Sequence, residues 1–83
     1  MAGYLLIDAQ LLARDGRLLF SAPGPIEAIE FAVVMRSGQV PALDVMTESD
    51  VSGIKILAPG VKNVMVNGKD HEFLAEGEYV KIR

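Results

Sequence analysis

The sequence predicts an all-β fold, a small two-sheet antiparallel β-sandwich of about eight short strands, and three observations lead there. Turn signals recur along the chain at Asp15-Gly16, Pro23-Gly24-Pro25, Ser37-Gly38, Pro59-Gly60, Asn67-Gly68 and Glu76-Gly77, leaving strand-length segments between them. Most of those segments are rich in β-branched or aliphatic side chains, which suit a pleated surface. Where the pattern is clean, apolar and polar residues alternate with the period of two expected of a half-buried strand.

Taken in order, the expected strands are Tyr4 to Ala13, Arg17 to Ala22, Ile26 to Arg36, Ala42 to Thr47, Ser52 to Ala58, Val61 to Val66, Lys69 to Leu74 and Glu78 to Ile82. The third has an alternative, an α+β fold with a helix at 25–37. Pro25 suits a first helical position, Glu27 and Glu30 lie early, Arg36 late and Gly38 just beyond the end. Against the helix, Phe31-Ala32-Val33-Val34-Met35 is apolar all round rather than in a stripe. In a strand, Ile29, Phe31, Val33 and Met35 line one face.

The sharpest local signal is Val64-Met65-Val66-Asn67-Gly68-Lys69-Asp70-His71, because Asn-Gly supplies the two positive-φ residues of a type I′ hairpin turn. Pairing Val66 with Lys69 sets Val64 opposite His71 and Lys62 opposite Phe73. Val64, Val66 and Phe73 then share an apolar face, while Asn63, Asp70 and Glu72 share a wet one.

Composition narrows the function. The chain has 83 residues, 51% of them apolar, with a mean hydropathy of +0.31 and no Trp. One domain, 1–83, holds that chain, with more aliphatic surface than so small an interior can hide. The ending Glu78-Tyr79-Val80-Lys81-Ile82-Arg83 is still in strand alternation, which reads as a domain excised from a longer chain. A net charge of −3 without any basic run gives no line of phosphate contacts, so nucleic acid is not an expected partner. The amino terminus, Met1-Ala2-Gly3-Tyr4, has no basic n-region, and the apolar run Phe31 to Met35 falls far short of the roughly 20 residues of a membrane span. Zero cysteines exclude disulfides, Cys-ligated metals and thiol nucleophiles, and leave the compartment undecided.

No HExxH, GxSxG, P-loop or GxGxxG pattern is present, so no catalytic, cofactor-binding or metal-ligating residues are assigned. The single His, His71, has Asp70 and Glu72 as neighbours, but adjacent strand residues point to opposite faces and neither carboxylate orients the ring. Asp44, Glu48 and Asp50 could offer oxygens to a hard cation such as Ca²⁺, without EF-hand spacing; a turn in which Ser49 or Asp50 bonds its own backbone is the favoured reading. Glu72, Glu76 and Glu78 read as edge-strand charges that discourage aggregation. A carbohydrate platform needs exposed rings, and Tyr4 and Tyr79 are the candidates once the three Phe go to the core.

The stretch Ile54-Lys55-Ile56-Leu57-Ala58-Pro59-Gly60-Val61-Lys62-Asn63-Val64-Met65-Val66-Asn67-Gly68-Lys69, followed by Phe73, Glu76-Gly77 and Tyr79-Val80-Lys81-Ile82, resembles the closing portion of the C-terminal β-sandwich domains of multidomain glycoside hydrolases and polysaccharide lyases. The resemblance implies a non-catalytic accessory domain that packs against a catalytic one, and it carries no functional residue across. Lack of Trp departs from a sugar-binding version. The expected role is therefore a structural or interaction module covered by a neighbouring domain or a second copy, with polysaccharide binding as the alternative. The face expected to be covered is that of Ala28, Ala32 and Val34 beside Glu30.

Overall fold

In the computed structural model, which describes residues 3–83, Asp15 and Gly16 take φ of 53° and 73° and close a tight hairpin between the two longest strands. These are β1 (Tyr4–Arg14) and β2 (Arg17–Arg36). The turn expected at Pro23-Gly24-Pro25 does not form, and the chain runs extended through it, so two expected strands are one. A proline φ near −65° serves an extended chain as well as a turn, but the missing N–H groups break the ladder. The break is visible in the register: Ala9 pairs with Ile26, whereas Leu11 pairs with Ser21. Gln10 lies at the gap and donates from Nε2 to the Pro23 carbonyl at 3.4 Å. The helix weighed for 25–37 is absent, and Ile26–Arg36 is strand with β1 on one edge and the next strand on the other.

The pleat of the hairpin also inverts at Asp8. Ile7 and Ala9 pair with Ala28 and Ile26 in one register, which alone would put both pairs on one face. Instead Ile7 and Ala28 are exposed, while Ile26 is buried and Ala9 packs against the core. Between them Asp8 takes φ of 51°, a left-handed conformation that turns the strand over.

The remaining strands are β3 (Val40–Met46), β4 (Lys55–Leu57), β5 (Asn63–Val66), β6 (Lys69–Asp70), β7 (Phe73–Glu76) and β8 (Tyr79–Ile82). They form one connected eight-stranded sheet of order β6-β5-β3-β2-β4-β8-β7, with β1 paired to β2 off this path, where the sequence pattern predicts two sheets. The cause is the length of β2. Its second half pairs with β3, from Glu30↔Met46 to Arg36↔Val40, and its first half pairs with β4 at Phe20↔Ile56. Two wings thus hang from one bent strand, and the sheet curls around a shared core.

Nor is the sheet antiparallel throughout. β3 and β5 are parallel, from Ala42↔Asn63 to Val45↔Val66, and the crossover this requires is supplied by residues 47–62. The Asn67-Gly68 hairpin forms with φ of 53° and 83° and pairs Val66 with Lys69. The His71 N–H still reaches the Val64 carbonyl at 2.9 Å. Beyond it the expected pairing of Lys62 with Phe73 gives way, because Phe73 opens β7 and pairs with Ile82 of β8. Val64 is fully buried, while Val66 and Phe73 are partly buried and pack against the core from different strands.

Phe20, Ile29, Leu43, Ile54, Ile56 and Ile82 are the largest fully buried side chains, each worth about 1.5–3 kcal/mol of burial. Tyr4, Phe31 and Phe20 stack in a row, with centroid separations of 5.4 and 5.7 Å. Met35 of the expected inward set lies past the end of this core and is exposed. The loop after β3 inserts Val51 and Ile54 between the wings. Gly53 there donates to the Ile82 carbonyl at 2.8 Å, and the Ile82 N–H returns to Ile54 at 2.8 Å.

Candidate interaction surface

Because aliphatic residues stand at consecutive positions in β1, Leu5-Leu6-Ile7 and Leu11-Leu12, the strand sends them to both faces of the hairpin. Tyr4, Leu6, Ala9 and Leu12 pack against the core. Leu5, Ile7 and Leu11 point away from it and are 65%, 62% and 63% exposed, joined by Met46 at 53%. Register sets Leu5 and Met46 on either side of Glu30 in one row, and Ile7 beside Ala28 in the adjacent row.

This outer face continues into a groove of about 510 Å³ lined by Leu5, Ala28, Glu30, Met46, Thr47 and Asn67, among others. Its far wall is tied together by hydrogen bonds. The Thr47 hydroxyl donates to the Ala28 carbonyl at 2.6 Å. The Asn67 side chain accepts from the Thr47 N–H at 3.0 Å and donates to the Thr47 carbonyl at 2.8 Å. A side-chain amide thus extends the β3–β5 ladder by one residue. Glu27, Glu30 and Glu48 also line the groove, whereas the ion pairs among the described residues join Arg17 to Glu78, Arg36 to Asp70 and Lys55 to Glu76.

The residues weighed for chemistry are dispersed. His71 Nε2 lies 2.6 Å from the Arg83 carbonyl and donates to it, holding the end of β8 beside the β5–β6 hairpin. Asp44 is on β3 opposite Ala32 and Met65, Glu48 lies at the groove, and Asp50 closes a turn by accepting the Ser52 N–H at 3.0 Å. That backbone bond, with help from the Ser52 hydroxyl, holds the Asp50 carboxyl below its ordinary value of 3.8. Glu76 and Glu78 are in the ion pairs above, and Glu72 accepts the Arg83 N–H through its backbone carbonyl. Among the described residues no three His, Cys, Asp or Glu converge as metal ligands.

Both tyrosines are already engaged. Tyr4 stacks on Phe31 and lies 5.8 Å under the Arg14 guanidinium. The Tyr79 hydroxyl donates to the Leu18 carbonyl at 3.0 Å, and the Lys55 ammonium sits 5.0 Å over its ring.

Sequence reasoning placed the uncovered face on Ala28, Ala32 and Val34; of these Ala28 is exposed and the other two are partly buried. The larger exposed groups are on β1, and the missed signal is the pair of aliphatic runs Leu5-Leu6-Ile7 and Leu11-Leu12. Consecutive aliphatics in an edge strand must place some on the solvent side. No family model, curated protein or solved structure matches this chain.

Proposed function

We propose that this chain is a non-catalytic interaction module, accessory to a multidomain protein, that packs through the outer face of β1, β2 and β3 against a neighbouring domain or a second copy. The observation that carries the reading is the group Leu5, Ile7 and Met46, apolar and more than half exposed on adjacent rows of one sheet face. Singly exposed aliphatics are ordinary; clustered on one face they mark contact surface. The parent is a carbohydrate-active or other multidomain protein, the first of these resting on the resemblance of residues 54–82 alone.

Sedimentation velocity from micromolar to millimolar protein tests it. The weight-average mass rises with concentration, is little changed by added salt, and falls back in Leu5→Lys or Met46→Lys. Both substitutions sit in solvent and leave stability within about 0.5 kcal/mol. A chain that stays monomeric, and whose solubility Leu5→Lys and Met46→Lys fail to raise, overturns the proposal. A micromolar affinity for a soluble polysaccharide, lost in Tyr79→Ala, would replace it with carbohydrate binding.

A further inference from the structure

Going beyond that reading, we infer that the free edge of β1 takes a second copy of this chain, bound edge to edge with antiparallel β1 strands about a twofold axis at Ala9. Among the described residues β1 hydrogen-bonds only to β2, so its other edge presents unpaired N–H and C=O groups. The sheet's other edges are blunted. β6 is Lys69–Asp70, both charged and exposed, and β7 is four residues long and ends on Glu76, which is paired with Lys55. β1 is eleven residues long, contains no proline and carries charge only at Asp8 and Arg14. A long edge with so little protection is a template for another strand.

The identity of that strand comes from β1 itself, whose sequence is nearly symmetric in kind about Ala9. Antiparallel pairing on this axis sets Ile7 beside the partner's Leu11, Leu6 beside the partner's Leu12 and Asp8 beside the partner's Gln10. The faces agree: Ile7 and Leu11 both point outward, and Leu6, Ala9 and Leu12 all pack inward. The neighbouring registers fail on the same facts. A slip of one residue sets outward Ile7 against inward Leu12, and a slip that centres on Asp8 opposes two carboxylates. Since Asp8 interrupts the edge with its positive φ, the pairing forms as two short ladders, 4–7 on 11–14 and its symmetry mate. The interface is isologous, as a twofold dimer requires.

Cysteine cross-linking reads this register, because the chain has no cysteine of its own. Ile7→Cys and Leu11→Cys chains are prepared separately, and unchanged thermal unfolding shows that each folds. Under mild oxidation the equimolar mixture gives several-fold more disulfide-linked dimer, at twice 8.9 kDa, than either variant alone, since only the mixed pair brings the two sulfur atoms together. A mixture that cross-links no better than its components overturns the inference. If association is then still abolished by Met46→Lys, the outer-face reading survives without the β1 pairing. A monomer at every concentration also overturns the pairing, and the solubility of Leu5→Lys then decides the outer-face reading by itself.

Discussion

Asn67 meets two requirements at once. Its backbone adopts φ of 53° at the first position of the hairpin turn, which Asn tolerates because its short polar side chain offsets the left-handed strain. That side chain also makes a two-way hydrogen bond to the backbone of Thr47. The paired substitutions Asn67→Gly and Asn67→Asp separate the roles. Glycine keeps the turn and loses both bonds; aspartate keeps the acceptor but faces the Thr47 carbonyl without a donor. Each lowers unfolding free energy by about 1–2 kcal/mol, read as a lower denaturant midpoint at unchanged slope. A wild-type midpoint in Asn67→Gly would mean that the turn conformation alone accounts for the choice of residue.

At the scale of elements, the bent β2 and the loop after β3 depend on each other. Gly53 has φ of 83°, and a Cβ built there would lie 2.8 Å from Cγ of Pro23, at the break in the β1–β2 ladder. Gly53→Ala therefore meets both backbone strain and a rigid ring, and is expected to lose about 1–3 kcal/mol. Adding Pro23→Ala recovers only the part due to the clash, and a double-mutant cycle on thermal unfolding measures it. The same elements mark what a sequence can and cannot show. The Asn67-Gly68 turn and its Val66–Lys69 register were legible because type I′ chemistry is local. Pro23-Gly24-Pro25 was misread because the φ of proline serves turn and extended chain alike, and the deciding factor is a partner strand far along the sequence. The parallel pairing of β3 with β5 leaves no local trace. On the surface, the aliphatic excess was legible from composition, but its place was only partly so, since the left-handed Asp8 and the register shift between Ala9 and Leu11 break the alternation along β1.

At the scale of the molecule, one core serves both wings. Phe20, Ile29 and Phe31 come from β2, Leu43, Val45 and Val64 from the β3–β5 wing, and Ile56, Val80 and Ile82 from the β4–β8 wing, all in one buried cluster. Neither wing has an interior of its own, and a domain of this size has only about 5–15 kcal/mol to lose. Truncating one wing's core should then be felt by the other. Ile82→Ala removes a fully buried side chain at a cost of about 2–5 kcal/mol, and it loosens the anchor between β8 and the loop at Ile54. Hydrogen exchange is expected to lose protection at Leu43, Val45 and Val64 by the same free energy as at Ile56 and Val80, with one cooperative thermal transition. Protection that falls only in the β4–β8 wing would show that the β1–β2–β3–β5 portion folds alone, and the bent β2 would then be a linker between two units rather than the spine of one.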